Sequence, residues 1–224
     1  MTAAEARVGW LGGSFDPVHE GHLHIARGAA DALSLSRVLL VPAYRAPHKL
    51  DRPLAPDEDR LALLDVACRV DPRLSACDVE LRRGGVSYSI DTARELLASL
   101  PPGTRLLAIV GADTLAELPT WRQAGELLRL VDFCPVARAG QEPDPSPLLR
   151  LGDAGIVDGI RRRTLRLPEH PASSTEVRAV LLAGGVPPWL PPGVLDELRR
   201  RGMYGYGAGG ASVRDSSGID RSRP

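Results

Sequence analysis

Short continuous apolar runs alternate along the chain with longer stretches in which apolar residues recur every three or four positions. Val8–Leu11, Arg37–Val41, Leu106–Val110 and Phe133–Ala137 are runs of the first kind, and they read as strands buried on both faces of a parallel sheet. Leu74–Leu81 and Thr164–Leu167 are read as two further strands. Between them, Val18–Leu33 puts Leu23, Ile25, Ala26, Ala29, Ala30 and Leu33 mostly on one helical face. Asp57–Val70 does the same with Leu61, Leu64 and Cys68. Ser89–Leu100 reads as a helix with Ser89 or Asp91 as its cap, stopped by Pro101-Pro102-Gly103. Arg122–Leu130, Ser174–Leu182 and Gly193–Arg201 are further helices, the last bracketed by Pro192 and Gly202. Strand and helix alternating at this spacing predict an α/β parallel sheet with right-handed crossovers. Ala43–Pro56 is a loop and Gln141–Ser146 a polar linker. Residues 1–204 are expected to form the folded domain, and the Gly- and Ser-rich residues 205–224 a disordered tail.

Composition acts by exclusion. At 43% hydrophobic and 25% charged residues the chain is expected to be soluble and globular. Lys+Arg and Asp+Glu are each 28, which argues against broad affinity for nucleic acid or an acidic membrane. No apolar run reaches the roughly 18 residues of a membrane span, and no basic segment followed by an apolar one opens the chain, so a cytoplasmic protein is expected. Cys68, Cys77 and Cys134 form no C-x-x-C pair and predict neither disulfides nor a protein-held metal.

Chemistry concentrates in Gly12-Gly13-Ser14-Phe15-Asp16-Pro17-Val18-His19-Glu20-Gly21-His22, where the first strand hands over to its helix. Ligands of open α/β sheets collect at the carboxyl ends of strands. The glycine pair lets backbone N–H groups along Gly12, Gly13, Ser14 and Phe15 approach a phosphate, and the helix N-terminus adds about half a positive charge. The Phe15 side chain itself reads as packing and Asp16 as a turn residue before proline. His19 and His22 share a face, and Gly21 between them keeps a side chain away from whatever they touch. This is neither G-x-G-x-x-G nor a P-loop. Late in the chain, Ser173-Ser174-Thr175-Glu176-Val177-Arg178 opens a helix. Ser173 or Ser174 is its expected N-cap, and the hydroxyls and free N–H groups suit β- and γ-phosphates. Arg178, one turn in, offers a guanidinium fork to a phosphate oxygen. Arg161-Arg162-Arg163 reads as a solvated edge in preference to a phosphate contact. Lys49, in Ala46-Pro47-His48-Lys49 after the second strand, is the single lysine of a chain whose other cations are arginine; it is a candidate point charge for a phosphate, with His48 beside it.

The segment Gly-Ser-Phe-Asp-Pro-Val-His-Glu-Gly-His resembles the signature of the nucleotidyltransferases that share a fold with class I aminoacyl-tRNA synthetases. Ser-Ser-Thr-Glu-Val-Arg resembles their second signature. Ser87-Tyr88-Ser89-Ile90-Asp91-Thr92, Ile109-Val110-Gly111-Ala112-Asp113 and Leu118-Pro119-Thr120-Trp121 narrow the resemblance to bacterial nicotinate-mononucleotide adenylyltransferases, over about Val8 to Tyr204. The resemblance implies a Rossmann-like doubly wound sheet with a small C-terminal helical part. It implies adenylyl transfer from ATP to nicotinate mononucleotide, with Mg²⁺ held mainly by the ATP phosphates. His19, His22, Lys49 and Arg178 would then serve catalysis, and Gly111 and Asp113 would face the adenine nucleotide. Trp121 would stack on the pyridine ring, while N–H groups near Tyr88 and Ser89 would hold its carboxylate, with His48 on the acceptor side. Three positions depart from the pattern: Ser14 and Ser89 stand where Thr is common, and Arg122 stands where an aromatic is often found. A homo-oligomer is left open. The competing readings are a sister enzyme, such as a pantetheine-phosphate adenylyltransferase or a cytidylyltransferase, and a nucleotide sensor without turnover. The sister enzymes lack Pro-Thr-Trp after Gly-x-Asp.

Overall fold

Five strands, β1 (Arg7–Gly13), β2 (Arg37–Pro42), β3 (Leu74–Ala76), β4 (Arg105–Gly111) and β5 (Asp132–Val136), form one sheet in the order β3-β2-β1-β4-β5. Every pairing is parallel, with Trp10 opposite Leu39 on one side and Ala108 on the other. The computed structural model describes residues 6–47, 54–138, 140 and 142–205. The helices are α1 (Glu20–Ala32), α2 (Asp57–Cys68), α3 (Val79–Arg83), α4 (Ser89–Ser99), α5 (Ala112–Glu117), α6 (Ala124–Leu130), α7 (Ala154–Arg162), α8 (Ser174–Leu182) and α9 (Val194–Arg201).

Continuous apolar strands need cover on both faces, and two clusters supply it. Leu11, Val38, Leu40, Leu107 and Ile109 pack with α1, α2, α8 and α9. Val8, Trp10, Leu39, Val41, Leu106 and Ala108 pack on the opposite face with α4, α6 and α7. Strand order reverses between β1 and β4. Their carboxyl ends, at Gly13 and Gly111, therefore splay apart and open a crevice at the switch point.

The structure corrects several expectations. The strand read over Leu74–Leu81 ends at Ala76, and its second half turns into α3, where Val79 and Glu80 are buried and Leu81 is half-buried. Thr164–Leu167 makes only an isolated parallel bridge, Leu165 to Val136. The cap of α4 is Tyr88 rather than Ser89 or Asp91. The helix read from Arg122 begins at Ala124, after Gln123 adopts a left-handed turn (φ 53°). Helices α5 and α7 were not foreseen: α5 has a single turn and a half, and α7 follows a Pro-rich stretch that reads as linker. Arg163 pairs with Asp132 at the start of β5 (2.9 Å), so the arginine run lies at the amino end of that strand, away from the crevice. Among the described residues no helix is long and apolar enough to cross a membrane. His48, Lys49 and residues 206–224 lie outside the described residues.

Candidate active site

The loop after β1 is built tightly. Phe15 takes a positive φ (46°), the Asp16–Pro17 bond is cis, and the Phe15 ring packs over Gly13, where an added Cβ would stand 3.1 Å from it. Phe15 is 1% exposed, so the side chain is packing and only its backbone can face a ligand. The turn delivers His19 as the N-cap of α1, with His22 in the first turn. Their rings stack at 3.8 Å, and Phe15 meets His22 edge-on at 4.8 Å. The His19 N–H donates to His22 Nδ1 (3.2 Å). Accepting there fixes the neutral His22 ring as the tautomer with its proton on Nε2. Burial, and then His170, pushes His19 down to about 4; burial, and then His19, holds His22 well below the usual histidine value. Gly21 is required by close approach, because a Cβ would sit 3.0 Å from His19 Nδ1 and 3.2 Å from the Ala172 carbonyl.

A pH dependence of stability follows. Below pH 6.5 the unfolded chain protonates a histidine that the folded protein keeps neutral down to about pH 4. The stabilisation is therefore complete above 6.5 and declines as pH falls through that window. Between pH 7 and pH 5 His19 alone should account for about 2 kcal/mol. Denaturant unfolding at the two pH values should show a smaller decline in His19→Asn/His22→Asn than in the parent; equal declines would contradict the buried neutral pair.

The second signature folds back onto this loop. Ser173 caps α8 by accepting from the Glu176 N–H (3.2 Å) and donating to Glu176 Oε2 (3.0 Å). The Ser174 hydroxyl donates to the Pro17 carbonyl (3.1 Å), and Arg178 donates to the Asp16 carbonyl (2.5 Å) with its carboxylate 3.8 Å away. Arg178 also reaches Thr175 Oγ1 (3.4 Å). The start of α8 is thus docked on the loop that opens α1, whose own first N–H, at Glu20, donates to the Trp189 carbonyl (2.8 Å), and an anion would meet the early N–H groups that remain.

Sequence reading missed what holds the loop. Arg60 on α2 is fully buried and donates to the carbonyls of Ser14 (2.7 Å), Ala43 (2.8 Å) and Ala55 (3.1 Å), and to Asp57 (2.6 Å). Asp16, read as a turn residue, is buried and accepts from the Tyr204 hydroxyl (2.5 Å) and the Ala55 N–H (3.3 Å). An arginine in the acidic first turn of an amphipathic helix reads as a solvated residue and carries no sequence signal for such a role.

The crevice holds a cavity of about 590 Å³. Its walls include Gly12, Gly13, Ser14, Gly111, Asp113, Tyr88, Ser89 and Trp121 from the expected residues, together with Trp10, Glu80 and Ser87. The imidazoles and the α8 cap belong to the adjoining loop rather than to this wall. Trp121 meets Phe133 at 6.5 Å, and Arg122, which departs from the aromatic often found at its position, lies over the Tyr88 ring at 4.8 Å in a cation–π contact. Asp113 is exposed, with Arg138 at 3.4 Å. Among the described residues no group of three or more His, Cys, Asp or Glu could hold a metal ion. The thiols of Cys68 and Cys134 are pushed up to about 12 by burial, as suits inert core residues.

The chain is similar to known proteins in sequence and in fold. A family model described as cytidylyltransferase-like matches residues 10–180. A Solibacter usitatus protein named "Probable nicotinate-nucleotide adenylyltransferase" is 40% identical over 87% of this chain and 97% of its own length. A Chromobacterium violaceum protein of the same name is 37% identical over 89% and 99%. The chain belongs to the nicotinate-nucleotide adenylyltransferase family. A solved Plasmodium falciparum nicotinic acid mononucleotide adenylyltransferase, complexed with NaAD, shares the fold with a TM-score of 0.69 at 15% identity, over 90% of this chain and 98% of that one. The cytidylyltransferase-like match over residues 10–180 takes in both signature segments and the crevice between them, while Tyr204, which holds Asp16, lies beyond it.

Proposed function

We propose that this protein transfers the adenylyl group of ATP to nicotinate mononucleotide, giving nicotinate adenine dinucleotide and pyrophosphate, a step of NAD biosynthesis. The observation that carries the reading is the docking of the second signature on the first, through Ser174 to Pro17 and Arg178 to Asp16, beside a cavity large enough for a nucleotide. The sister-enzyme readings have less support, because the relatives above share one name and Trp121 lines the cavity.

An acceptor phosphate oxygen attacks the α-phosphorus of ATP in line. The bond from that phosphorus to the α–β bridging oxygen breaks, and pyrophosphate leaves with the electron pair. The acceptor is already anionic, so no general base is needed, and catalysis is positioning plus stabilisation of charge. The His22 Nε2–H donates to the α-phosphate or bridging oxygen, and neutral His19 lies stacked beside it. The starts of α1 and α8 would flank the phosphates, and Arg178, which donates to the Asp16 carbonyl and Thr175 Oγ1, would hold the loop beside them. Lys49 and His48 are proposed on sequence grounds for the phosphate and acceptor. Mg²⁺ would be held mainly by the ATP phosphate oxygens and water, and would supply neutralisation of the phosphate charge.

Pyrophosphate release should be followed with ATP and, in parallel, nicotinate mononucleotide, nicotinamide mononucleotide or phosphopantetheine. Release with the first, and much less with the others, is expected; release only with another acceptor, or none from folded protein, would overturn the reading. Trp121→Ala should raise the acceptor KM by roughly 10-fold and leave the ATP KM within about 2-fold. Equal effects on both substrates would contradict stacking.

A further inference from the structure

Helix α4 begins without a side-chain cap among the described residues, so its first N–H groups, at Ser89 and Ile90, are unpaired by the helix, and Ser89 lines the cavity. Their placement depends on what anchors the segment before and after them. That anchor is a carboxylate which the catalytic reading does not use.

Glu80 is 5% exposed, stands on α3 and lines the cavity. The fully buried Thr92, one turn into α4, donates its hydroxyl to Glu80 Oε1 at 2.7 Å. Ser87, one residue before the Tyr88 cap, hydrogen-bonds the same carboxylate. Ser87 Oγ in turn accepts the Tyr44 N–H (3.0 Å), and the Ser87 N–H donates to the Arg45 carbonyl (2.9 Å). Arg83 adds a donor to Thr92 Oγ1 (2.9 Å) and an ion pair with Glu95 (2.9 Å). One buried carboxylate therefore ties the start of α4 to the loop leaving β2, on both sides of the cavity mouth.

We infer that Glu80 is a positioning residue for the acceptor, which sets the Ser89 N–H, at the start of α4, where a carboxylate on a flat aromatic ring can be held. This rests on the proposed adenylyl transfer to nicotinate mononucleotide. Burial pushes the Glu80 carboxyl up, and the hydroxyls of Ser87 and Thr92 and the charge of Arg83 oppose that push. Two hydroxyl protons converge on one acceptor group. Glutamine keeps the shape but offers a single acceptor oxygen, and its NH₂ turns a donor toward an oxygen that already accepts from Tyr44 or Arg83. One hydroxyl is then misdirected and the turn loosens.

The test is steady-state kinetics of Glu80→Gln, Thr92→Val and Thr92→Ser beside the parent protein, with nicotinate and nicotinamide mononucleotides. Glu80→Gln and Thr92→Val should each raise the KM for the acid about 10-fold, with kcat and the ATP KM within about 2-fold. Both should narrow the preference for acid over amide. Thr92→Ser keeps the hydroxyl and should behave as the parent does. If Glu80→Gln does not fold, Thr92→Val carries the test alone. An unchanged acceptor KM, or equal changes for ATP and acceptor, overturns the positioning role. A parent protein inactive with the acid overturns the proposed function instead.

Discussion

His22→Ala is expected to lower kcat by about 100- to 1,000-fold while leaving both KM values within a few-fold. The size follows from what the ring does. A preorganised donor aimed at oxygen that gains charge in the transition state typically contributes on this scale, and its loss appears in kcat because the interaction strengthens only as charge builds. The geometry here is unusually restrictive. His22 Nδ1 is occupied by the His19 N–H (3.2 Å), one ring face by His19 (3.8 Å) and the ring's flank by Phe15 (4.8 Å). Its Nε2 proton is thus held in one direction without a neighbouring carboxylate to orient it. The low basicity imposed by burial keeps the ring neutral at pH 7 in the free protein. Incoming phosphates favour the charged form, so the site becomes a better donor when it is filled. Stability should change by only about 1 kcal/mol, the ordinary effect of losing an N-terminal hydrogen bond. Single-turnover measurements with saturating substrates would check the result, and a kcat within 3-fold of the parent would remove His22 from the chemistry.

How much of this was legible beforehand depends on where the cause resides. The strands of the sheet interior announce themselves because burial on both faces demands continuous apolar residues, and Val38–Val41 and Leu106–Ile109 meet that demand. The two signatures were legible because phosphate chemistry needs glycines, histidines and hydroxyls within a few residues. Short elements were not. Helix α3 has five residues with one buried apolar anchor, Val79, and α5 has two turns' worth of residues at most, too few for periodicity to emerge. The long-range supports were illegible for a different reason. Ser174 reaches Pro17 and Tyr204 reaches Asp16 across nearly the whole chain, and nothing local in Gly202-Met203-Tyr204 says which carboxylate the phenol will meet. Asp16 illustrates the consequence: its neighbour Pro17 suggests a turn, which is correct for the backbone, yet the side chain is buried as a hub. Charge balance was misleading in the same way. A net charge of zero says nothing about local potential, which here comes from two helix N-termini and one guanidinium.

Arg60→Leu is expected to destabilise the protein by about 3–5 kcal/mol, lowering Tm by roughly 10 °C. Replacing a buried ion pair with apolar residues is often harmless, because both charged partners leave together. That escape is closed here. Three of the four groups that Arg60 satisfies are backbone carbonyls, of Ser14, Ala43 and Ala55, which no substitution removes. With the side chain fully buried, leucine would leave them facing an apolar void with no access to water. Arg60→Lys should recover little, since one ammonium cannot span carbonyls that a planar fork reaches from Nε, one NH and the other. The damage is directed at function as well. Ser14 lies in the phosphate loop after β1 and Ala43 leads from β2 toward the acceptor side, so one guanidinium sets the distance between the two substrate-binding loops. At temperatures where the variant stays folded, kcat/KM for both substrates should therefore fall together, unlike the acceptor-selective effect expected at Trp121. Thermal unfolding followed by kinetics below the transition would decide it: a Tm within 2 °C of the parent, or a normal kcat/KM in the folded variant, would show that the loops hold their spacing without Arg60.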